Sequence, residues 1–586
     1  MDRIQKITTG LAWASLLLLF FCFYPTSTNG QSKAQKIEQL LRTYHDYGRF
    51  NGSVLVADEN GVLFQDGLGW ANVEWDMPNQ ADTKFRLASI SKQFTAMLIM
   101  QLVEAGKLSL EAPISTYLPD FPKDKAERIT IHHLLTHTSG IPNYTSFPNY
   151  REVMRKPNSP EDLVRLFADS SLVFTPGERH AYSNSAYVLL GQIIEKSTGK
   201  SYEQVLQDRI FTPLKMENTG YDHNDQIIKK RASGYYVNGR TFVNANYIHM
   251  STPYAAGGIY STVEDLYRWD RALYTEELVS QQYRDLLFEK HSQLGRMHYG
   301  YGWELGQMPI GNSGERLPAT SHSGGINGFN TFITRIPSTK SLIVLLSNTG
   351  TAPLFEMMAS INGILNDKGH DLPQKSLAYD LLEWINKEGI TEATRKFNAS
   401  KGGANYYLNE HEMNMAGYEL LQAKQAKEAA TIFLLNIESY PRSSNAYDSY
   451  GEALLALGEK EGAIANYKKS IQLNPKNENG LQVLKGLGVS TESLVYKVPV
   501  DHMQMLAGEY LAIRPPGSAG QEWKIVIKEE QGRLFANDRG YRYELVPVGE
   551  DQFINPNDGA SIDFDSSDKK AITFTLFGKY NFKKLE

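Results

Sequence analysis

One stretch, from Phe85 to about Glu104, limits what this chain can fold into more than any other. It begins as a short extended segment and continues as a helix that is too apolar to lie on a protein surface. Ser89 lies where the helix begins and Lys92 follows three residues later, so a helical backbone places both side chains on one face. Burial lowers the pKa of a lysine, and a serine hydroxyl beside such a base can act as a nucleophile.

The Ser-x-x-Lys spacing is not specific by itself. The same spacing recurs elsewhere in the chain, at Ser197/Lys200, Ser566/Lys569 and Ser567/Lys570. Serine is also a common cap of a helix, and most lysines are solvated. A capped helix with a solvated lysine is therefore the alternative interpretation of Ser89 and Lys92. The expected burial of the helix and two downstream motifs favour the nucleophile.

The length and the N-terminus predict an exported protein of several domains. A chain of 586 residues is too long for one domain, and a net charge of −6 without a basic run argues against a nucleic-acid partner. Arg3 and Lys6 precede an apolar run, residues 11–24, which is too short to span a bilayer comfortably. This pattern predicts a cleaved signal peptide over residues 1–30, a secreted or periplasmic location and no stable membrane span afterwards. Retention of the run as an anchor is the alternative.

The cysteine count excludes thiol chemistry from the mature chain. The only cysteine, Cys22, lies inside the apolar run, so no disulfide, thiol nucleophile or thiolate metal site is expected after cleavage. His133 and His137 are four residues apart and could reach one metal ion. No glutamate follows His133 as in a zinc-protease helix, so we interpret the pair as a helix end near the site and expect no metal. The glycine turn at residues 255–262 is interpreted as structural.

Tyr182 and Asn184 form the second chemical motif. They lie two residues apart in a loop that precedes a helix, so both side chains can point into a cleft. A phenol can transfer a proton, and a carboxamide can hydrogen-bond a substrate amide. The alternative is a loop tyrosine followed by an asparagine that caps the helix.

His322 opens the third motif, a polar strand end followed by Gly324 and Gly325. Two glycines allow the backbone to approach a ligand closely. His322 could donate a hydrogen bond or act as an acid or base, and a surface histidine before a strand is the alternative. Two strands, 331–336 and 341–346, are predicted to follow.

Together the three motifs, Ser89-Ile90-Ser91-Lys92, Tyr182-Ser183-Asn184 and His322-Ser323-Gly324, resemble those of the serine β-lactamase and penicillin-binding-protein superfamily. The similarity is greatest to the class C β-lactamase-like DD-peptidases, D-aminopeptidases and esterases. It covers about residues 35–366 and implies an α/β (α+β) domain in which helices flank an antiparallel sheet. The resemblance also implies acyl transfer without a metal or organic cofactor.

Residue roles follow from the same resemblance. Ser89 would be the acylated nucleophile, Lys92 and Tyr182 would share proton transfer, and Asn184 would hold the substrate amide. The N–H groups of Ser89 and Gly325 would form the oxyanion hole. Which of Lys92 and Tyr182 is the base stays open.

The third motif departs from that of the β-lactamases, which have Lys-Thr-Gly where this chain has His322-Ser323-Gly324. Histidine titrates near neutrality and is not a permanent partner for a β-lactam carboxylate. We therefore expect activity on D-amino-acid peptides or short esters, with β-lactamase as the alternative. If an anionic substrate needs a charged His322, its turnover should fall as the pH rises through about 6.5.

An alternative from another class is a non-catalytic sensor or scaffold that keeps the fold for binding. The complete motif set argues against this interpretation, because a protein that only binds has no need of Lys92 and Tyr182 together.

The second half of the chain contains an internal repeat. The pattern from Met413 to Pro441 recurs 34 residues later, from Tyr447 to Pro475, with small residues where paired helices would cross. This is the period of tetratricopeptide repeats, and helices within 377–397 are expected to add a partial unit or cap. The module either packs only on its neighbours or binds a protein partner.

Short strands are predicted near the C-terminus. Turn signals separate the segments 523–528, 532–536, 541–547, 552–555, 561–565 and 571–577. They predict a small antiparallel barrel or sandwich, which resembles the lipocalin-like appendages of some class C-like hydrolases. The predicted organisation is multidomain: a hydrolase domain at 31–370, helical repeats at 376–490 and a β-rich domain at 498–586.

Overall fold

An antiparallel sheet lies at the centre of the N-terminal region. The computed structural model describes residues 31–238, 241–491, 494, 496–513, 523–538, 541–555, 560–568, 572–576 and 580–585. The strands of this region are β1 (Gly52–Asp58), β2 (Gly61–Leu68), β3 (Trp70–Asn72), β4 (Met77–Pro78), β5 (Phe85–Arg86), β6 (Gly220–Tyr221), β7 (Tyr235–Asn238), β8 (Thr241–Asn244), β9 (Ile259–Ser261), β10 (Ser292–Leu294), β11 (Met297–Tyr299), β12 (Glu304–Pro309), β13 (Arg316–Ile326), β14 (Phe329–Ile336) and β15 (Ser341–Ser347). The central sheet has the order β10-β11-β12-β13-β14-β15-β1-β2. The two strands predicted at 331–336 and 341–346 correspond to β14 and β15.

Helices cover both faces of this sheet. They are α1 (Lys33–Asp46), α2 (Ser91–Glu104), α3 (Lys123–Ala126), α4 (Ile131–Leu135), α5 (Tyr150–Val153), α6 (Pro160–Arg165), α7 (Asn184–Thr198), α8 (Tyr202–Leu206), α9 (Tyr254–Gly257), α10 (Val263–Ala272), α11 (Gln281–Leu286) and α12 (Leu354–Leu365). One face packs against α1 and α12, and Leu41, Ile361 and Leu345 of β15 belong to the same buried cluster. The other face packs against α2 and α10, where Phe94 stacks on Trp269. The expected antiparallel sheet flanked by helices is confirmed.

The nucleophile helix is buried as expected. Every residue of α2 from Ser91 to Met100 is buried, so the helix is enclosed on all sides. The regular helix begins at Ser91, and Ser89 lies in a short 3-10 turn, Ala88–Ile90, directly before it. Ala88, directly before Ser89, has a φ of +51°, which an α-helix does not allow.

A helical region follows. It contains β16 (Lys375–Ser376), β17 (Tyr406–Tyr407), α13 (Leu377–Glu388), α14 (Ile390–Ser400), α15 (Glu410–Gln422), α16 (Ala426–Ser439), α17 (Ser444–Ala456), α18 (Lys460–Leu473) and α19 (Glu478–Gly486). The small residues at the helix crossings are Gly417, which lies against Phe433, and Gly451, which lies against Tyr467. The helix bounds of α15 and α16 recur in α17 and α18, in keeping with the sequence repeat. Assignment to the tetratricopeptide class stays a prediction.

A closed antiparallel barrel forms the C-terminal region. Its described elements are α20 (Val500–Leu506), β18 (Gly508–Ala512), β19 (Lys524–Glu530), β20 (Arg533–Asp538), β21 (Tyr541–Pro547), β22 (Gln552–Ile554), β23 (Ser561–Asp565), β24 (Thr573–Leu576) and β25 (Tyr580–Lys584). Six strands correspond to predicted ones. The sequence pattern does not predict β18 and β25, the pair that closes the barrel, because glycine, alanine and lysine are uncommon in strands. Of the two predicted forms, a barrel or a sandwich, the structure has the barrel.

The predicted signal peptide, residues 1–30, lies outside the described residues. Within the described ranges, no helix has the length and apolar character needed to cross a membrane. The predicted domain limits at 31–370, 376–490 and 498–586 stay predictions.

Candidate active site

The turn that carries Ser89 is held in an unusual backbone conformation. Ala88 occupies the left-handed region, which is unfavourable for a residue with a Cβ. The carbonyl of Leu87 accepts a hydrogen bond of 2.9 Å from Oγ1 of Thr331 on β14. The turn is thereby tied to the central sheet, and Ser89 is presented at the junction of the sheet and α2.

Lys92 is fully buried and lies beside Ser89. Its Nζ is 3.1 Å from the Ser89 Oγ, and it donates hydrogen bonds of 2.8 Å to Oδ1 of Asn184 and to the backbone carbonyl of Ala256. All three partners are uncharged, and burial lowers the pKa of Lys92 well below its usual value. The predicted contact between Ser89 and Lys92 is therefore present, and the solvated lysine of the alternative interpretation is wrong.

The partners of Lys92 determine where its lone pair points. Oδ1 of Asn184 and the Ala256 carbonyl can only accept hydrogen bonds, so they take the two N–H groups of a neutral amine. The lone pair of that amine then faces the hydroxyl of Ser89. The Ala256 carbonyl belongs to the glycine turn that the sequence analysis interpreted as structural. Its contact with Lys92 could not be predicted from the sequence, because every residue type has a backbone carbonyl.

Tyr182 approaches Ser89 from the other side. Its hydroxyl donates a hydrogen bond of 2.9 Å to the Ser89 Oγ. The pKa of Tyr182 is raised above its usual value, mainly by burial, so the phenol stays protonated at neutral pH. The Nζ of Lys92 also lies 4.8 Å from the centre of the Tyr182 ring.

Asn184 joins this cluster as the first residue of α7. Its Oδ1 accepts from Lys92, while its Nδ2 donates to Oδ1 of Asn143 and to Oγ1 of Thr145, both at 3.3 Å. The alternative interpretation, in which Asn184 only caps the helix, is wrong, because its side chain bonds to Lys92, Asn143 and Thr145. Asn143 also accepts from the backbone N–H of Asn184 at 3.1 Å, and it orients the side chain.

His137 is a component of the site that the motif analysis did not assign. Its carbonyl accepts from the N–H of Ala181 at 2.8 Å, and its Nδ1 accepts from the N–H of Ser183 at 3.2 Å. These two bonds flank Tyr182, whose ring centre lies 4.3 Å from that of His137. The interpretation of His137 as part of a helix end near the site is confirmed, and its contacts place Tyr182.

His133 lies apart from this contact, since its Nδ1 accepts from the backbone N–H of Thr130 at the start of α4. Within the part of the chain that the structure describes, no group of three or more His, Cys, Asp or Glu side chains is arranged to hold a metal ion.

His322 is buried, and this corrects one prediction. The ring Nδ1 donates to the carbonyl of Ser323 at 2.7 Å, and Nε2 accepts from the Tyr299 hydroxyl at 2.9 Å. Burial, with a smaller contribution from the charge of Lys92, lowers the pKa of His322 to about 3. The expectation that His322 titrates near neutrality is therefore wrong, because the buried ring has lost the solvent that would stabilise its charge. The surface position given as its alternative is wrong as well.

The two glycines of the third motif differ in their surroundings. A Cβ on Gly324 would lie 2.2 Å from the Leu87 carbonyl oxygen and 2.3 Å from Oγ1 of Thr331, so only glycine lets β13 approach the Ser89 turn. A Cβ on Gly325 would meet no atom within 4 Å. Gly325 lies on the part of β13 beyond Ser321, where no described strand pairs on the β12 side. This leaves an open strand edge next to the Ser89 turn.

Comparisons with known proteins agree with this geometry. A family model described as Beta-lactamase matches residues 34–361. Penicillin-binding protein 4* of Bacillus subtilis (strain 168) is 32% identical over 366 residues, which cover 59% of this chain and 79% of that protein. The D-amino acid amidase from Ochrobactrum anthropi SV3, solved with D-phenylalanine, is 26% identical with a TM-score of 0.50, and the match covers 57% of this chain and 99% of that one.

A third comparison extends the likeness of fold to most of the chain. The octameric penicillin-binding protein homologue from Pyrococcus abyssi covers 94% of this chain and 99% of its own, with 21% identity and a TM-score of 0.50. At that identity the likeness concerns the fold alone. The superfamily of β-lactamase-like serine hydrolases includes penicillin-binding proteins and D-amino acid amidases. The family match, the sequence relatives and the arrangement around Ser89 show that this chain belongs to the Beta-lactamase family.

Proposed function

We propose that this protein is a hydrolase that forms a covalent acyl-enzyme on Ser89. The observation that carries the proposal is the position of Lys92: a buried amine whose Nζ lies 3.1 Å from the Ser89 Oγ and donates to Asn184 and to the Ala256 carbonyl. In the neutral form, these two bonds leave the lone pair free to accept the Ser89 proton. A base in this position converts a weak hydroxyl nucleophile into a reactive one.

The contacts support one order of proton transfers. Lys92 takes the proton of Ser89 while Oγ forms a bond to the substrate carbonyl carbon, and the N–H groups of Ser89 and Gly325 receive the developing oxyanion. The protonated phenol of Tyr182 gives its proton to the leaving nitrogen or oxygen as that bond breaks, and Lys92 returns a proton to Tyr182. In deacylation, Lys92 takes a proton from water as the water oxygen bonds to the acyl carbon, and this proton passes to the Ser89 Oγ as the ester C–O bond breaks. Asn184 keeps Lys92 in position and is proposed to contact the substrate amide.

The substrate class we propose is D-amino-acid amides and peptides, with short esters as simple analogues. The similarity to a D-amino acid amidase supports this class. The neutral His322 supports it as well, because a β-lactam carboxylate would find no fixed cation at this position of the third motif. The contacts of Lys92 and Tyr182 also favour catalysis over a role as a sensor.

The substrate class is tested by comparing kcat/KM for D-phenylalanine amide, L-phenylalanine amide, p-nitrophenyl acetate and benzylpenicillin. We expect the D-amide to exceed the L-amide by about tenfold or more, and penicillin to turn over slowly, since a lost charge-assisted bond costs about 1.5–3 kcal/mol. Penicillin as the best substrate would identify a β-lactamase and refute the proposed class.

The close approach at Gly324 yields a further expected result. Gly324→Ala forces β13 away from the Ser89 turn, and a displacement of about 1 Å can reduce activity about 100-fold. Gly350→Ala is the control, because its Cβ would lie 3.5 Å from Tyr236, an ordinary contact, and the residue is outside the three motifs. Ester hydrolysis and thermal melting of both variants are to be measured. Equal activity of the two variants would contradict this account of the third motif.

We further propose export through residues 1–30, on the basis of the short apolar run behind Arg3 and Lys6. For the helical region, packing on neighbouring regions and binding of a protein partner remain the two proposals.

A further inference from the structure

The one-turn helix α9 supplies the Ala256 carbonyl that binds Lys92, and its other carbonyls need partners as well. Every residue of α9 is buried. The carbonyl of Tyr254 accepts from the N–H of Gly258 at 2.8 Å. A helix this short leaves the carbonyls of its last residues without donors inside the helix, and a buried carbonyl without a donor is unfavourable. The Ala255 and Ala256 carbonyls must therefore be bound from outside α9.

Two side chains of the nucleophile helix α2 bind these two carbonyls. Lys92 donates to the Ala256 carbonyl at 2.8 Å, and the Thr95 hydroxyl donates to the Ala255 carbonyl at 2.6 Å. Lys92 and Thr95 lie three residues apart, so both side chains leave the same face of α2. The Thr95 hydroxyl also lies 3.4 Å from the Ser91 carbonyl, but the Ala255 carbonyl is the nearer acceptor. Two adjacent hydrogen bonds thus join α2 to α9, and one of them belongs to the proposed base.

A buried tyrosine fixes the direction of the Thr95 hydroxyl. The hydroxyl of Tyr202, at the start of α8, lies 2.7 Å from the Thr95 Oγ1. A carbonyl only accepts hydrogen bonds, so the Thr95 proton goes to Ala255 and Tyr202 donates to Thr95. Burial raises the pKa of Tyr202, which keeps the phenol protonated, as this chain of bonds requires. Both residues are buried, and the proposed mechanism uses neither of them.

The backbone of α9 is strained where the helix begins. Tyr254 has a φ of +40°, in the left-handed region, which is unfavourable for a residue with a Cβ and persists only where the surroundings enforce it. A Cβ on Gly191 of α7 would lie 2.4 Å from the Tyr254 ring, whose centre is 5.3 Å from that of Tyr202. Contacts from α2, α7 and α8 therefore hold α9 in place, and the loss of one of them lets the strained turn relax.

We propose that Thr95 is a positioning residue for Lys92: it fixes α9 so that the Ala256 carbonyl stays on the amine. The proposal rests on the proposed function, in which Lys92 takes the proton of Ser89. The Ala256 carbonyl and Asn184 hold the two N–H groups that leave the lone pair of the neutral amine free for that proton. When α9 moves, Lys92 loses one of these two anchors, and the amine no longer faces the Ser89 hydroxyl in a single orientation.

The test compares single variants by kcat/KM for p-nitrophenyl acetate and by the rate of labelling with a fluorophosphonate probe. Thr95→Val keeps the shape of the side chain without its hydroxyl, and we expect both rates to fall by about 10- to 100-fold. The ester and the probe share the reaction with Ser89 but not the groups around the reacting atom, so both rates should fall by the same factor. Thr95→Ser keeps the hydroxyl and should restore both rates to near the wild-type values.

Two further variants test the chain of bonds. Tyr202→Phe removes the donor to Thr95 but leaves the bond to Ala255, so we expect a smaller fall of about two- to tenfold. The double variant should be no slower than Thr95→Val alone, because the two hydroxyls act in one chain. Thr334→Val is the matched control, since its hydroxyl is also buried and has no hydrogen-bond partner among the described residues. It should leave both rates unchanged, and thermal melting shows which variants are folded.

A folded Thr95→Val variant with wild-type rates, or a Thr95→Ser variant as slow as Thr95→Val, would overturn the assignment. If Thr95→Val does not fold, Tyr202→Phe decides, and unchanged rates in that variant overturn the assignment. Failure of the proposed function gives a different result, since the wild-type protein would then neither hydrolyse the ester nor react with the probe.

Discussion

Replacing Lys92 with methionine is expected to lower kcat/KM for p-nitrophenyl acetate by about three orders of magnitude. A positioned general base contributes about 10²- to 10⁴-fold, and methionine fills the space of the lysine stem without its lone pair. In the wild-type protein the base must be neutral, so activity should fall as the pH falls through the lowered pKa of Lys92. A profile of kcat/KM against pH measures both effects.

The chain offers a matched control for this variant. Lys200 has the same spacing from a serine, but it is exposed and pairs with Asp208. Lys200→Met should therefore leave activity unchanged. Lys92→Met leaves two acceptors without a donor, at a cost of about 1–3 kcal/mol each, so thermal melting must show that the variant is folded. A folded Lys92→Met variant with more than about a tenth of the wild-type activity would contradict the role of Lys92 as base.

The contact between Ser89 and Lys92 could be predicted because it is local. Three residues along a helix return to the same face, and the apolar residues of α2 imply burial. Single strands of the central sheet and of the C-terminal region could also be predicted, since alternating residues and turn signals are short-range patterns. The antiparallel sheet flanked by helices followed from the family resemblance, and the pattern left open whether the C-terminal strands form a barrel or a sandwich. The resemblance of the motifs added the pairing of Ser89 with Tyr182, two residues far apart in sequence.

The properties of His322 could not be predicted from its own neighbourhood. Its low pKa depends on burial and on the charge of Lys92, and its Nε2 is bonded to the hydroxyl of Tyr299 on another strand. The contact of the Ala256 carbonyl with Lys92 could not be predicted either, because every residue type has a backbone carbonyl. Asn143 and His137 position Asn184 and Tyr182 through tertiary contacts. Geometry of this kind arises from the packing of distant segments, whereas spacing in sequence reports only local structure.

Replacing Ser89 with alanine should remove covalent reactivity altogether. No other group in the cluster can take the acyl bond: the Lys92 amine is enclosed by its partners, and the Tyr182 phenol stays protonated. The substitution deletes one hydroxyl at the edge of the core, so the free energy of unfolding should change by no more than about 1 kcal/mol. Ser183→Ala is the matched control, since the Ser183 hydroxyl is buried, next to Tyr182, and has no hydrogen-bond partner among the described residues.

The most direct test is therefore the intact mass of the protein after reaction with a fluorophosphonate probe, followed by mapping of the modified peptide. We predict one adduct on the wild-type protein and on Ser183→Ala, located at Ser89, and no adduct on Ser89→Ala. Equal labelling of Ser89→Ala, or an adduct located at another residue, would contradict the assignment of Ser89 as the nucleophile.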